Sequence, residues 1–197
     1  PEGRRAVNWS GEEKLTGSNA TPFYKWSAAG LAGVWAERNN REDIFAAFRR
    51  KETFATSGPR IKVRLFAGYD YPAGVFVRKD FATLAYGKGV PMGSDLALSG
   101  RGAPTFLAQA TKDANSAGLQ RMQIIRGWSE GGQLKEKVYD VACASGIPDA
   151  RTHRCPAVAA NVDTKTCRIN PNIGAPELKI AWRDPDFDPK RRAFYYV

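Results

Sequence analysis

Three aspartates alternate in RDPDFDP, at Asp184, Asp186 and Asp188. Alternating carboxylates on one loop can bring hard oxygen ligands to a calcium ion. An EF-hand loop needs glycine at its sixth position and glutamate at its twelfth, and Pro189 and Tyr195 stand there instead. Pro185 and Pro189 favour a rigid turn between strands over a metal loop. The sole histidine, His153, sits in THRC, two residues before Cys155. A His/Cys pair could begin a metal site, but such a site needs three or four ligands and the others have no source here. Gly87, Gly89 and Gly93 in YGKGVPMGSDL match neither GxGxxG nor a P-loop, and read as turn residues at a sheet edge. No GxSxG elbow is present, and a Ser-His-Asp set would have to recruit His153. Nucleophilic catalysis is therefore not a property the chain's own residues suggest.

Binding chemistry has more candidates. Arg60 follows the turn Ser57-Gly58-Pro59, where two structural regions are expected to meet, and could reach an anion; a structural salt bridge is the competing use. The triplet Arg49, Arg50 and Lys51 could hold phosphate, or could simply compensate a helix dipole. The formal charge is +10, of which about +8 falls after Gly58. The densest basic run is only Lys190, Arg191 and Arg192, and acids are interleaved throughout. A solvated basic surface fits this pattern better than a nucleic-acid footprint, which would need Arg60, Lys62 and Arg64 to join that run in one patch. Trp128, Trp182, Tyr195 and Tyr196 would be the candidates if the chain were instead a non-catalytic binding module presenting aromatics to carbohydrate or protein.

These residues must be held by some framework. Residues 1–29 are polar and irregular, with Trp9, Phe23, Tyr24 and Trp26 scattered among them and two glycosylation sequons, at Asn8 and Asn19. Asn40 is a good N-cap, Glu42 and Asp43 suit a first helical turn, and the triplet at 49–51 suits a last one. Ile44, Phe45, Ala47 and Phe48 form one apolar stripe, so a helix is expected over 41–51. The period then changes to two. In RIKVRLF, Ile61, Val63 and Leu65 face one side and Arg60, Lys62 and Arg64 the other. Further strands are expected at Val75–Val77, 105–110, 119–126, 134–142, 178–182 and 194–197, with Gly/Pro/Asn/Asp turns between them. No strong second helix and no internal repeat is evident. The fold class is mainly β (α+β), an antiparallel β-sandwich over 59–197 preceded by a short helix-containing segment over 1–58. Its expected core is Ile61, Val63, Leu65, Phe106, Ile124, Val138, Val141, Leu178, Ile180 and Trp182.

No run approaches the roughly 18 apolar residues of a membrane helix, so no membrane partner is expected. No signal peptide is visible. The chain starts at Pro1 without methionine and stops at AFYYV without a polar tail, which reads as two cuts through a larger protein. Cys143, Cys155 and Cys167 are evenly spaced with no CxxC pair. Cys143 ends an expected strand and Cys155 lies in the loop after it, so a Cys143–Cys155 disulfide is the preferred pairing. Cys155–Cys167 would close a loop of equal length, and three reduced thiols would suit a cytosolic protein.

One block, REDIFAAFRRKETFATSGPRI, resembles a segment of PHP-type (polymerase and histidinol phosphatase) proteins that carry a C-terminal β-sandwich. KGVPMGSDL and LQRMQIIRGW resemble the sandwich half of the same proteins. GLAGVWAERN, EKVYDVAC, IGAPELKIAW and DPDFDPKRRAFYYV together resemble the bacterial domain-of-unknown-function family 3604, in order and over nearly the whole chain. The resemblance implies a metal-dependent phosphoesterase whose distorted barrel holds divalent metals through His and Asp residues. Those motifs would lie upstream of Pro1, so no cofactor is expected in this chain. It would be the last barrel element plus the sandwich, with the upstream segment as its partner. The family's resemblance to exported proteins implies a periplasmic or otherwise exported location.

Overall fold

The computed structural model describes residues 30–100, 102–159, 162–163 and 165–197. The sequons and the aromatics of 1–29 lie outside the described residues. The first strand, β1 (Ala32–Val34), pairs antiparallel with β2 (Thr53–Ala55), and helix α1 (Arg41–Arg49) lies between them in sequence. Asn40 caps α1 by accepting the Asp43 N–H at 2.8 Å. The helix stops two residues short of the expected end. The N–H of Lys51 returns to the Phe48 carbonyl and that of Glu52 to the Ala47 carbonyl, the two bonds of a Schellman ending. Lys51 takes the left-handed position, φ 60°, that this ending requires. Of the apolar stripe only Ala47 is buried, and Phe45 and Phe48 are exposed.

Two antiparallel sheets follow. The four-stranded one runs β4 (Gly89–Pro91), β3 (Lys62–Gly68), β5 (Thr105–Thr111), β8 (Glu177–Arg183). The three-stranded one runs β7 (Gln133–Cys143), β6 (Arg121–Glu130), β9 (Ala193–Tyr196). The main core lies between them. Leu65, Phe106, Ala108, Ala110 and Leu178 come from the first sheet, and Met122, Ile124, Tyr139 and Val141 from the second. Alternation places each set on one face of its strand. Ile61, Val63, Ile180 and Trp182 join this core partly buried. Val138 does not. It has the opposite parity to Tyr139 and Val141, and Tyr139 takes the inward place. A register shift opposite Met122 and Gln123 lets Val141 and Ala142 both touch the core.

The four-stranded sheet is covered on its other face too. Phe66 and Leu107 pack there against Val75, Ala85, Phe81 and Leu84. This layer comes from a 3-10 turn at Val75–Val77, expected to be a strand, and from a second helix, α2 (Phe81–Lys88), which was not expected. FATLAYGK is apolar nearly all round and ends in glycine and lysine, so it shows no helical stripe. Gly87 is therefore helical and Gly89 opens β4, where a Cβ would fall 1.9 Å from the Tyr71 hydroxyl.

Candidate functional site

Segment 30–58 meets the sandwich at a cluster of ionisable groups. Trp35 donates its indole N–H to the Val63 carbonyl at 2.8 Å, which sets the segment against β3. Arg64 projects from β3 on the face away from the main core, as alternation dictates. That face is not open. The guanidinium lies 4.5 Å from the Trp35 ring centroid, 5.0 Å from Phe66 and 5.4 Å from Tyr86. Its Nη2 donates to the Tyr86 hydroxyl at 3.0 Å. The Tyr86 hydroxyl in turn donates to Oε1 of Glu52. Glu52 is 1% exposed, between α1 and β2. Its Oε2 has no hydrogen-bond donor among the described residues and lies 3.5 Å from Nη2 of Arg50. The KGVPMGSDL motif closes over the same spot. Gly93, at φ 82°, passes so near Lys51 that a Cβ would sit 2.2 Å from its carbonyl oxygen.

The cluster holds charge in place. Three rings, with the hydroxyl of one of them, Tyr86, orient Arg64, and Glu52 offsets its charge. Burial first, and then the hydrogen bond to Glu52, push the Tyr86 hydroxyl above its ordinary pKa, so it stays a donor. Such an arrangement can position an anion or a neighbouring segment.

A second cluster closes one end of the sandwich core. Arg126 of β6 points inward and is 2% exposed. It pairs with Asp184 at 3.1 Å and donates to the Asp186 carbonyl at 2.5 Å. Asp184 also accepts from the Tyr195 hydroxyl at 2.7 Å and from the Asp186 N–H at 2.8 Å. The Asp186 carboxylate takes the Lys137 ammonium and the Tyr139 hydroxyl. Lys137 first, then Tyr139, hold it below the usual carboxylate range. Asp188 lies half-buried beside Arg191. The alternating aspartates thus face separate cations on the turn between β8 and β9. Among the described residues no three His, Cys, Asp or Glu side chains gather into a group that could hold a metal ion.

The remaining candidates are scattered. Arg60 is exposed, and its backbone N–H donates to Asp113 at 2.7 Å. Arg64 lies within its aromatic cluster and Arg191 is paired with Glu130 at 2.6 Å, so each is engaged at a different place in the fold. His153 lies edge-on to Tyr139, and Cys155 beside it is bonded to Cys143. Asp140, fully buried, holds that loop to β7. It accepts from the Cys155 N–H and from Gln123, each at 2.7 Å, and faces Arg121 and Arg154. Cys167 is free and exposed. Trp182 and Tyr195 turn inward against Phe106, and Trp128 is half-buried under Arg126 and Arg191. Only Tyr196 of the four proposed aromatics is exposed.

Sequence reasoning passed over Glu52 and Tyr86. Glu52 had one signal, as the lone acid in RRKET, where a basic run turns into a strand. Tyr86 had none. A local repeat was also missed. Asp149 and Asp163 open two similar turns, DARTHR and DTKTCR, each with the Asp carboxylate accepting from the threonine two before the last arginine. His153 and Cys167 occupy the equivalent left-handed positions, φ 53° and 56°.

A family model described as "Protein of unknown function (DUF3604)" matches residues 4–197. No curated protein and no solved structure matches the chain.

Proposed function

The chain belongs to the DUF3604 family, and on that premise we propose that it is the C-terminal, sandwich-bearing part of a PHP-like metal-dependent hydrolase. Upstream sequence supplies the ligands of the divalent metals and the reacting groups. This chain supplies the seat on which that catalytic part rests, formed by α1, the β1–β2 pair and the cluster of Trp35, Arg64, Tyr86 and Glu52. The observation that carries the reading is the outward side of α1. Phe45 is 62% exposed and Phe48 49% exposed, on a well-capped helix whose buried contact is little more than Ala47. Two phenylalanines on one short helix mark a surface built to be covered. The half-satisfied Glu52 beside it fits the same reading, because a buried carboxylate oxygen without a donor is costly. The Cys143–Cys155 bond fits an exported protein.

The test compares two proteins: this chain alone, and the chain with its natural upstream sequence. Both are assayed with bis(p-nitrophenyl) phosphate and manganese or zinc, and analysed for bound metal. The longer protein should carry metal and turn over, and the chain alone should do neither. In the longer protein, Phe45→Asp with Phe48→Asp should lower activity and stability together. Robust metal-dependent turnover by the chain alone would overturn the reading, as would a longer protein that binds no metal.

A further inference from the structure

On the outer face of the three-stranded sheet, β9 carries two aromatic rings that no core uses. Phe194 is 59% exposed and Tyr196 45% exposed. Both have the opposite parity to Tyr195, so they face away from the sandwich interior. Their planes lie within 15° of one another, with centroids 6.2 Å apart. Phe194 stands opposite Gly127 of β6, and Tyr196 opposite Ile125.

Gly127 decides how the Phe194 ring lies. A Cβ built there would be 2.2 Å from Cζ of Phe194 and 2.6 and 2.8 Å from its two Cε atoms. Those distances describe an approach onto the face of the ring at its tip. The ring therefore lies down over the glycine, reaching across β6, and any side chain at 127 would lift it. Tyr196 reaches across β6 as well, because its hydroxyl donates to Oε2 of Glu136 on β7 at 3.3 Å. Nearly parallel, and both laid across the same strand, the two rings form a flat platform with one face on the sheet and the other in water. A carboxylate and a phenol lie at its margin.

We propose that this platform binds a carbohydrate chain, specifically an extended chain of β-linked pyranose units. A pyranose with equatorial substituents presents a flat face of C–H groups. Those weakly positive hydrogens suit the negative face of an aromatic ring. Two nearly parallel faces along one strand would receive neighbouring sugar units, and Glu136 and the Tyr196 hydroxyl would hydrogen-bond ring hydroxyls. Because Gly127 and Glu136 already hold both rings down, binding orders little that is not ordered beforehand. The side chains differ from the set that sequence reasoning chose, of which only Tyr196 remains. The proposal is independent of the hydrolase reading, since it concerns affinity and not turnover.

The test titrates the full chain with cellohexaose, xylohexaose and chitohexaose by calorimetry, with α-linked maltohexaose for contrast. At least one β-linked oligosaccharide should bind, and the maltose series more weakly. Phe194→Ala with Tyr196→Ala should weaken that binding at least tenfold while leaving the melting temperature nearly unchanged, because both rings are exposed. Gly127→Val keeps both rings but displaces the platform, and should weaken binding as well in a variant whose circular dichroism matches the parent. The proposal fails if none of the β-linked probes binds at millimolar concentration, or if the double variant binds as the parent does. It also fails if the double variant instead abolishes a dimer seen by sedimentation, which would make the face a protein contact.

Discussion

Asp184 and Glu52 are both buried carboxylates facing an arginine and a tyrosine, and they are completed differently. Asp184 closes the end of the sandwich, and both of its oxygens have donors: Arg126, Tyr195 and the backbone of Asp186. Glu52 lies where segment 30–58 meets β3, and among the described residues only Oε1 has a donor. The first is enclosed by two sheets of one fold. The second lies beneath a tyrosine that is 41% exposed and next to a helix with two bare phenylalanines. The contrast lies in the carboxylates: Nε of Arg126 has no acceptor among the described residues, yet both oxygens of Asp184 are partnered, whereas Glu52 keeps one oxygen without a donor at the seam, where a partly satisfied buried group is costly.

The sharpest way to break that contrast is Asp184→Ala. It leaves Arg126 buried without its counter-charge and should cost about 3–5 kcal/mol, read by urea denaturation. Replacing both partners, as Arg126→Met with Asp184→Leu, should restore most of that loss. A single variant costing below about 1 kcal/mol would show that the sandwich cluster is not closed. Next in size is Cys143→Ser with Cys155→Ser. The bond spans a sequence separation of 12, for which chain entropy predicts about 3 kcal/mol. Since the loop is tied to β7 through Asp140, the loss should appear in the sandwich transition and leave Trp35 fluorescence alone. A change at Trp35 would mean that the two regions are coupled. The smallest effect is expected at the open cluster. Tyr86→Phe removes the only hydrogen-bond donor to the Glu52 side chain among the described residues and should cost about 1–2 kcal/mol, reduced by the partial exposure of the tyrosine. If Tyr86→Phe costs as much as Asp184→Ala, the distinction between seam and core collapses.

Much of the fold was legible from local signals. Asn40, Glu42 and Asp43 announce the start of α1, and RIKVRLF announces β3, because caps and alternation act over a few residues. Other elements were not legible. FATLAYGK is apolar on too many sides to show a period, since Ala85 packs on the sheet while Phe81 and Leu84 fill the layer around it. Val138 and Tyr139 are neighbours of equal apolar promise, and only a partner strand tells which one points inward. The candidate site was legible least of all. Arg60 was chosen for its place at a turn, whereas Arg64, four residues further along, is the one that aromatic rings surround.

By itself, the sequence determined a β-rich antiparallel chain and one capped helix ahead of its strands. Those properties depend on composition and on spacings of two to four residues. Tertiary structure decided which charges meet. Glu52, Arg64 and Tyr86 are brought together from a helix end, a strand and a second helix, and Arg126 meets Asp184 across 58 positions of chain. It also decided that Phe194 lies flat, because that depends on a glycine 67 residues earlier standing opposite it in the next strand. Such pairings are set by sheet register, and register follows from burying one face of every strand at once.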